Sequence, residues 1–499
     1  MKKIFLLLAA VALLANAQTG EIMRSTPAQE SVNPQAVATF FDSLMAVNAT
    51  DIHHVMVLRH DKVIAELHPA PYRAQDSHTL YSCSKTFTSM AVGIAIDENR
   101  LRLTDRVAAF FPERLPDTVS ARLADITVRD LLIMGAGIKP DWIMRSQSPD
   151  WITEWFSKPV TEAPGSKFQY DSMCSYILAA IVQRVTGKTM LEYLNEHLFG
   201  PMGITEVDWE QSPEGVNTGG WGLRLQTESL AKMGMLMLHR GNWNGRQLVP
   251  AAWIDEASAS HINYSWVKPG DKPTDKNQGY GYQIWRCNWP GAYRADGAYG
   301  QFIVVITESD MVVVINGYSD DTNGELRAIW RHLMPGVDKT NSNPGKAQKK
   351  LEALCSKASL PVLKGKDINP LPAGAKLKLQ SNKHNIATIE LTPMSKFSTM
   401  YIHYADGHSD CIYLGHGNWM YGPVELPPYS IDAVDRFKGL NRNFQAAGCR
   451  AWTDKNVLTA RIEYVNWISA TTFVFDFKAN KVTITDNFDA SHPEVITFK

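Results

Sequence analysis

Cysteine is scarce, with six in 499 residues. That density excludes a small disulfide-stapled scaffold, in which bridges stand in for a core. An excess of either charge is also missing: 50 Lys+Arg face 51 Asp+Glu, for a formal net charge of −1. A balanced chain is a poor binder of phosphate backbones, so no nucleic-acid partner is expected. After residue 14 there is no long apolar run, which excludes a multispan helical membrane protein. G-x-S-x-G, H-E-x-x-H, C-x-x-C, Walker and G-x-G-x-x-G motifs are all absent. His53-His54 falls in an expected strand, where successive side chains point to opposite faces. No metal and no cofactor is therefore expected.

What is present is apolar bulk: 44% hydrophobic residues, with 14 Trp, 17 Tyr and 18 Phe. At roughly 150 residues per domain, the length allows about three cores, or one large enzyme fold and an appendix. Lys2 and Lys3, the apolar stretch Ile4 to Leu14 and the A-x-A site Ala15-Asn16-Ala17 read as a signal peptide. Cleavage near Ala17 and export to the periplasm or medium are expected. In an exported chain Cys411 and Cys449, which share one β-rich stretch, are candidates for a bridge.

Alternation and helical spacing give the order along the chain. His54 to Leu67 reads as two strands, and Ser82 to Glu98 as a helix. Further helices follow at Thr127–Leu132, Met173–Thr186, Met190–Leu198 and Leu230–Leu238. Gln301–Ile306 and Met311–Ile315 form a strand pair, and Glu325–Leu333 a last helix. Strands from both ends enclosing many helices predict an α+β fold: an antiparallel sheet flanked by helices, with a helical insertion. From about Leu377 some eight short strands predict an all-β barrel or sandwich. The expected division is a signal at 1–17, one domain at 18–337, a linker and short helix at 338–357, and the all-β domain at 358–499.

Three elements carry chemistry. Ser82-Cys83-Ser84-Lys85 is S-x-x-K, and residues three apart share a helix face. An amine there can take the serine proton if burial disfavours its charge. Two other S-x-x-K stretches exist, at Ser229–Lys232 and Ser265–Lys268. The first reads as a capped amphipathic helix with a solvated lysine, the second as a loop edge. Downstream, a turn from Pro164-Gly165 leads to Tyr170-Asp171-Ser172, where a phenol can act as phenolate base or proton relay. The rival Tyr193-Leu194-Asn195 reads as core packing. Last, Ala295-Asp296-Gly297-Ala298 precedes the Val/Ile strand, where glycine permits close backbone approach. The N–H groups of Ser82 and Ala298 can form an oxyanion hole.

Order and flanks of these elements over about residues 35–335 resemble the serine beta-lactamase and penicillin-binding-protein superfamily, in its class C-like branch. Leu80–Phe87, Ile126–Leu132, Pro164-Gly165, Pro201–Ile204 and Gly279–Tyr282 carry the likeness. The resemblance implies an acyl-enzyme serine hydrolase with Ser82, Lys85 and Tyr170 as catalytic residues. It implies substrate contacts at Ser172, Asp296 and Gly297; Trp142, Trp151 and Trp155, which precede Tyr170, are candidates either for the cleft wall, with Trp142 as a substrate contact, or for packing within the helical insertion. Two departures stand out. A hydroxyl at Ser172 replaces the usual amide, and Ala295 stands where a lysine would bind a substrate carboxylate; Asp296 is expected to repel one. The expected substrate is therefore a small-molecule or peptide-like ester or amide. The rivals are a D,D-peptidase or beta-lactamase, and a non-catalytic binding protein on the same scaffold. The last third is similar to lipocalin-like β-domains that trail such hydrolases, with a cell-wall or glycan contact as one possible role. The oligomeric state is left open.

Overall fold

The computed structural model describes residues 20–47, 50–143, 147–264, 266–268, 270–339, 343–366, 374–394, 397–429 and 436–499. The signal segment and Ser265 lie outside the described residues. Two compact units result. The first holds the chain up to Leu67, Thr79–Ser356 and Ala433–Leu440; the second holds His68–His78, Lys357–Asp432 and Asn441–Lys499.

The first unit is built on a seven-stranded sheet. Its strands are β1 (Met23–Arg24), β2 (Thr50–Arg59), β3 (Lys62–Leu67), β4 (Trp285–Arg286), β5 (Ala292–Gly297), β6 (Gln301–Ile306) and β7 (Met311–Ser319). They lie in the order β1-β3-β2-β7-β6-β5-β4. Only β1 and β3 run parallel. β2 pairs with β7 from Arg59–Met311 to Thr50–Ser319, so the two ends of the segment close the sheet around the helical insertion. Phe302–Ile306 and Met311–Ile315 are fully buried. Such continuous Val/Ile runs belong to strands covered on both faces.

Among the helices of this unit are α1 (Pro34–Met45), α2 (Ser84–Asp97), α3 (Ser172–Thr186), α4 (Thr227–Leu238) and α5 (Thr322–Ala328). α2 is buried from Ser84 through Ala95, as a helix without a polar face should be. α4 lies against β6 and β7. Gly234 permits this approach, because a Cβ there would overlap Val312 and stand 3.1 Å from Ile303 Cγ2. The solvated lysine expected at 232 is not found: Lys232 is 5% exposed. It donates 3.1 Å to Met202 O and 3.4 Å to Gly203 O, carbonyls at a turn that local helix periodicity cannot reveal.

The second unit is a curled, half-barrel sheet. Its strands are β8 (Ala375–Lys378), β9 (Ile386–Pro393), β10 (Phe397–Tyr404), β11 (Ser409–His416), β12 (Met420–Pro423), β13 (Gln445–Asp454), β14 (Val457–Tyr464), β15 (Ala470–Asp476), β16 (Lys481–Asp486) and β17 (Glu494–Thr497). The order is β8-β9-β10-β11-β13-β14-β15-β16-β17, with β12 paired to β13. A bridge between Leu379 and Phe498 brings its two ends together. β12 and β13 were not among the eight expected strands. The Ala446-Ala447-Gly448-Cys449 stretch of β13 has no β-branched residue to signal a strand, and at Gly448 a Cβ would stand 2.5 Å from Tyr413 O. Cys411 and Cys449 are both free thiols. Gly415, not Cys411, is opposite Cys449. Four residues of strand separate the thiols by roughly 13 Å, beyond the reach of a disulfide.

Candidate active site

The sequence before α2 makes one tight turn, Tyr81–Cys83. Tyr81 has φ 46°, a left-handed conformation that costs an aromatic residue about 1–2 kcal/mol. Surrounding bonds hold it there. Leu80 N–H donates to Leu223 O at 3.0 Å, and Ser84 Oγ donates to Tyr81 O at 2.7 Å. Cys83 Sγ donates to Gln301 O at 3.0 Å, and the Tyr81 ring meets Tyr299 edge-on at 5.6 Å. The turn leaves Ser82 half-buried while Cys83, Ser84 and Lys85 are buried.

Lys85 is 1% exposed. Its Nζ stands 3.0 Å from Ser82 Oγ, 3.0 Å from Ser172 Oγ and 2.7 Å from Gly220 O. Burial pushes the amine from 10.5 down to about 7, with the Asp171 carboxylate opposing most strongly. The three contacts suit a neutral amine. Two N–H groups donate to Gly220 O and Ser172 Oγ, and the lone pair faces the Ser82 hydroxyl. Gly220 carried no signal in the sequence. Its place is set by contact, since a Cβ there would stand 2.8 Å from Ser172 O and 3.4 Å from Lys85 Nζ.

The Tyr170 ring centroid is 4.9 Å from Lys85 Nζ, and its phenol is hydrogen-bonded to Ser82. Burial, with Asp296 nearby, raises this phenol above its ordinary value. A phenolate at neutral pH is thereby disfavoured, which leaves the relay and not the phenolate base as the role the geometry supports. Asp171 caps α3 by accepting the Met173 N–H at 2.9 Å. Ser172, expected beside a substrate, instead accepts from Lys85.

At the end of β5, a Cβ on Gly297 would collide with Leu80 O and stand 2.8 Å from Gln301 Cβ and 3.2 Å from Cys83 N. Gly297 is thus the residue that lets β5 abut the Ser82 turn, with exposed Ala298 next along the chain. Ala295 is buried. Asp296 does not present the bare repelling charge expected of it, because Arg294 Nε binds its Oδ2 at 2.8 Å. An aromatic wall adjoins Tyr170. Trp285 lies 5.4 Å from the Tyr170 ring, Phe168 touches Tyr264, Trp266, Tyr280 and Trp285, and Trp266 stacks on Tyr264 at 4.7 Å. Trp142 is 55% exposed. Trp151 and Trp155 are core residues, packed on Tyr176 and Phe156, and do not wall a cleft.

A serine hydroxyl on a buried lysine, at the start of a core helix beside an antiparallel sheet, defines a serine hydrolase of the beta-lactamase-related type. The family model described as Beta-lactamase matches residues 38–334, and the chain belongs to that family. Among curated relatives, the 6-aminohexanoate-dimer hydrolase of Paenarthrobacter ureafaciens is 27% identical over 348 residues, 65% of this chain and 87% of that protein. The lovastatin esterase of Penicillium rubens is 24% identical over 161 residues, 27% of this chain and 40% of the relative. A solved structure from Bacteroides dorei, whose description proposes a beta-lactamase, superposes with a TM-score of 0.51 at 17% identity. It covers 60% of this chain and 98% of that one, and speaks for the fold alone.

Proposed function

We propose that the protein is an exported serine hydrolase that cleaves an ester or amide through an acyl-enzyme on Ser82. The observation that carries this reading is the buried Lys85 amine 3.0 Å from Ser82 Oγ. In the proposed cycle Lys85 takes the serine proton as Ser82 Oγ bonds to the carbonyl carbon. The carbonyl electron pair moves to its oxygen, which the N–H groups of Ser82 and Ala298 hold. Tyr170 relays the proton from Lys85 to the leaving group as the scissile bond breaks. Water then bonds to the ester carbon while its proton passes by way of Tyr170 and Lys85 to Ser82 Oγ, the Oγ–carbon bond breaks, and the acid leaves with the serine hydroxyl restored.

The substrate class follows from what surrounds the serine. Position 295 supplies no cation, and a wall of Trp285, Trp266 and Tyr264 adjoins Tyr170. These features support an apolar acyl or leaving group without a carboxylate; of the named relatives, the lovastatin esterase accords with this, whereas a 6-aminohexanoate dimer carries a carboxylate, so that relative does not support the carboxylate-free reading. A fluorophosphonate probe followed by peptide mapping tests the nucleophile: labelling is expected on Ser82, and labelling that persists in Ser82→Ala overturns the assignment. Stable acylation by a labelled penicillin would favour the D,D-peptidase or beta-lactamase rival. Export is tested by N-terminal sequencing of secreted protein, expected to start near Gln18. For the β unit the proposal is contact with a polyhydroxyl ligand such as cell-wall glycan. A cavity of about 440 Å³ lined by Tyr404, Tyr429, Phe488, His384 and Asp486 supports it. Binding to a glycan panel that is unchanged in His384→Ala plus Tyr429→Ala would remove that cavity as its seat.

A further inference from the structure

We propose that Asp171 is a positioning residue for Lys85: a buried carboxylate that accommodates the positive charge Lys85 acquires on taking the Ser82 proton. This rests on the reading of Ser82 as nucleophile and Lys85 as its base. The geometry begins with the chain itself. Tyr170, on one side of Asp171, has its ring centroid 4.9 Å from Lys85 Nζ. Ser172, on the other side, has its hydroxyl 3.0 Å from the same atom. Asp171 is therefore held between two residues that both touch the lysine, and it is 5% exposed.

Helix capping explains an acceptor at 171 but not a charge. Asp171 accepts the Met173 N–H at 2.9 Å and so caps α3. Asparagine or serine does this equally well, without the cost of taking a carboxylate out of water. The charge calls for a cation, and the cation whose field reaches Asp171 is Lys85. Burial pushes the Asp171 carboxyl up to about 7 while it pushes the Lys85 amine down to about 7, each drawing the other back. Charge on either group is thereby steadied by charge on the other. Other titratable groups face this pair. Cys83 and Cys174 face Lys85, and Cys174 also faces Asp130 and Asp171. Asp141 faces Asp171 and is itself bound to Lys158 at 2.8 Å. The thiols are held protonated by burial. Asp171 is thus the carboxylate placed to offset an ammonium at Lys85.

During acylation the Ser82 proton passes to Lys85 Nζ, the Oγ–carbon bond forms and the carbonyl pair moves to oxygen. The amine becomes an ammonium on a side chain that is 1% exposed. With Asp171 ionised, the products of that step are an oxyanion, held by backbone N–H groups, and an ammonium facing a carboxylate.

The test is the pH dependence of kcat/KM for p-nitrophenyl butyrate in the full chain, normalised to Ser82 titrated with fluorophosphonate. Asp171→Asn keeps the cap acceptor and removes the charge. Without the carboxylate Lys85 loses its proton more readily, so the acid-side midpoint should move to lower pH by about one unit. The plateau should fall roughly tenfold as the ammonium loses its counter-charge, with KM and thermal stability close to the parent's. Asp171→Ala should show the same midpoint displacement with a lower melting temperature, because it also loses the cap. A midpoint that stays in place or moves upward in Asp171→Asn overturns the proposal. Failure of Ser82 labelling in the parent would instead overturn the proposed nucleophile, so the two failures are distinguishable.

Discussion

Burying a lysine amine to make a base has a stability consequence that can be measured separately from catalysis. Lys85 ionises at 10.5 in an unfolded chain and at about 7 in the fold. At about 1.4 kcal/mol per pH unit, carrying the ammonium inside costs about 5 kcal/mol below pH 7. Between pH 7 and 10.5 the unfolded chain binds a proton that the folded chain does not, so this cost fades as pH rises. Lys85→Met keeps an unbranched side chain and removes the titration. It also removes hydrogen bonds to Ser82, Ser172 and Gly220, each worth about 1 kcal/mol. The variant should be about 2 kcal/mol more stable than the parent at pH 6 and about 2 kcal/mol less stable at pH 10, crossing near pH 8. Its esterase activity should fall by two decades or more. Urea unfolding of parent and variant at pH 6, 8 and 10, followed by tryptophan fluorescence, checks this; titrations of groups that do not face Lys85 cancel in the difference, and repeating the pair in the Asp171→Asn background removes the one carboxylate that does. A difference that stays constant across that range would refute the desolvated amine.

Tyr170→Phe removes the hydroxyl bound to Ser82 and should lower kcat by about two to four decades with KM little changed; steady-state kinetics decide it. Gly297→Ala introduces a Cβ against Leu80 O, so β5 must withdraw from the Ser82 turn. Fluorophosphonate labelling should slow at least tenfold, and stability should drop by about 1–3 kcal/mol. Arg294→Met leaves Asp296 without its partner and should cost about 2–3 kcal/mol, less than for a fully buried acid because Asp296 is 27% exposed. Adding Asp296→Leu should recover most of that loss in a melt.

Local pattern made legible what depends on local pattern. Three-residue spacing placed Lys85 beside Ser82, and a run of Phe87, Met90, Ala91 and Ile94 marked the core helix that carries Lys85, although Ser82 itself lies in the turn before it. The Val/Ile stretches of β6 and β7 announced a covered strand pair. Contacts across long stretches of chain were not legible. Gly220 reaches Lys85 from 135 residues away and Ser172 from 87, and neither residue type advertises a lysine partner. The same limit explains Lys232, which reads as a surface residue until the turn carbonyls of Met202 and Gly203 are brought to it. Trp151 and Trp155 show the converse. Large aromatics ahead of Tyr170 suggested a cleft wall, yet a tryptophan yields more by burial than by lining a cleft, and both lie in the core.

The charges of β5 refine what a substrate meets. Arg294 and Asp296 are two apart on a strand and share one face, whereas Ala295 and Gly297 share the other. The Ala295 face is buried, and a Cβ at Gly297 would already collide with the Ser82 turn, so the face toward the serine carries no charge. On the opposite face the arginine is committed. Its Nε binds Asp296, and its terminal nitrogens bind Arg286 O at 2.9 Å and Asp275 O at 3.2 Å. A substrate carboxylate near β5 therefore finds Arg294 committed and no unopposed acid, with Lys276 the further cation whose field reaches Asp296 among the described residues. Discrimination against carboxylates would then come from desolvation without a partner, not from repulsion. The two causes predict different salt dependence. Repulsion between charges weakens as ionic strength rises, whereas the cost of an unpartnered buried carboxylate does not. Relative kcat/KM for a neutral ester and its ω-carboxylate analogue should therefore stay constant between low and high salt, and a ratio that closes with added salt would restore Asp296 as the excluding charge.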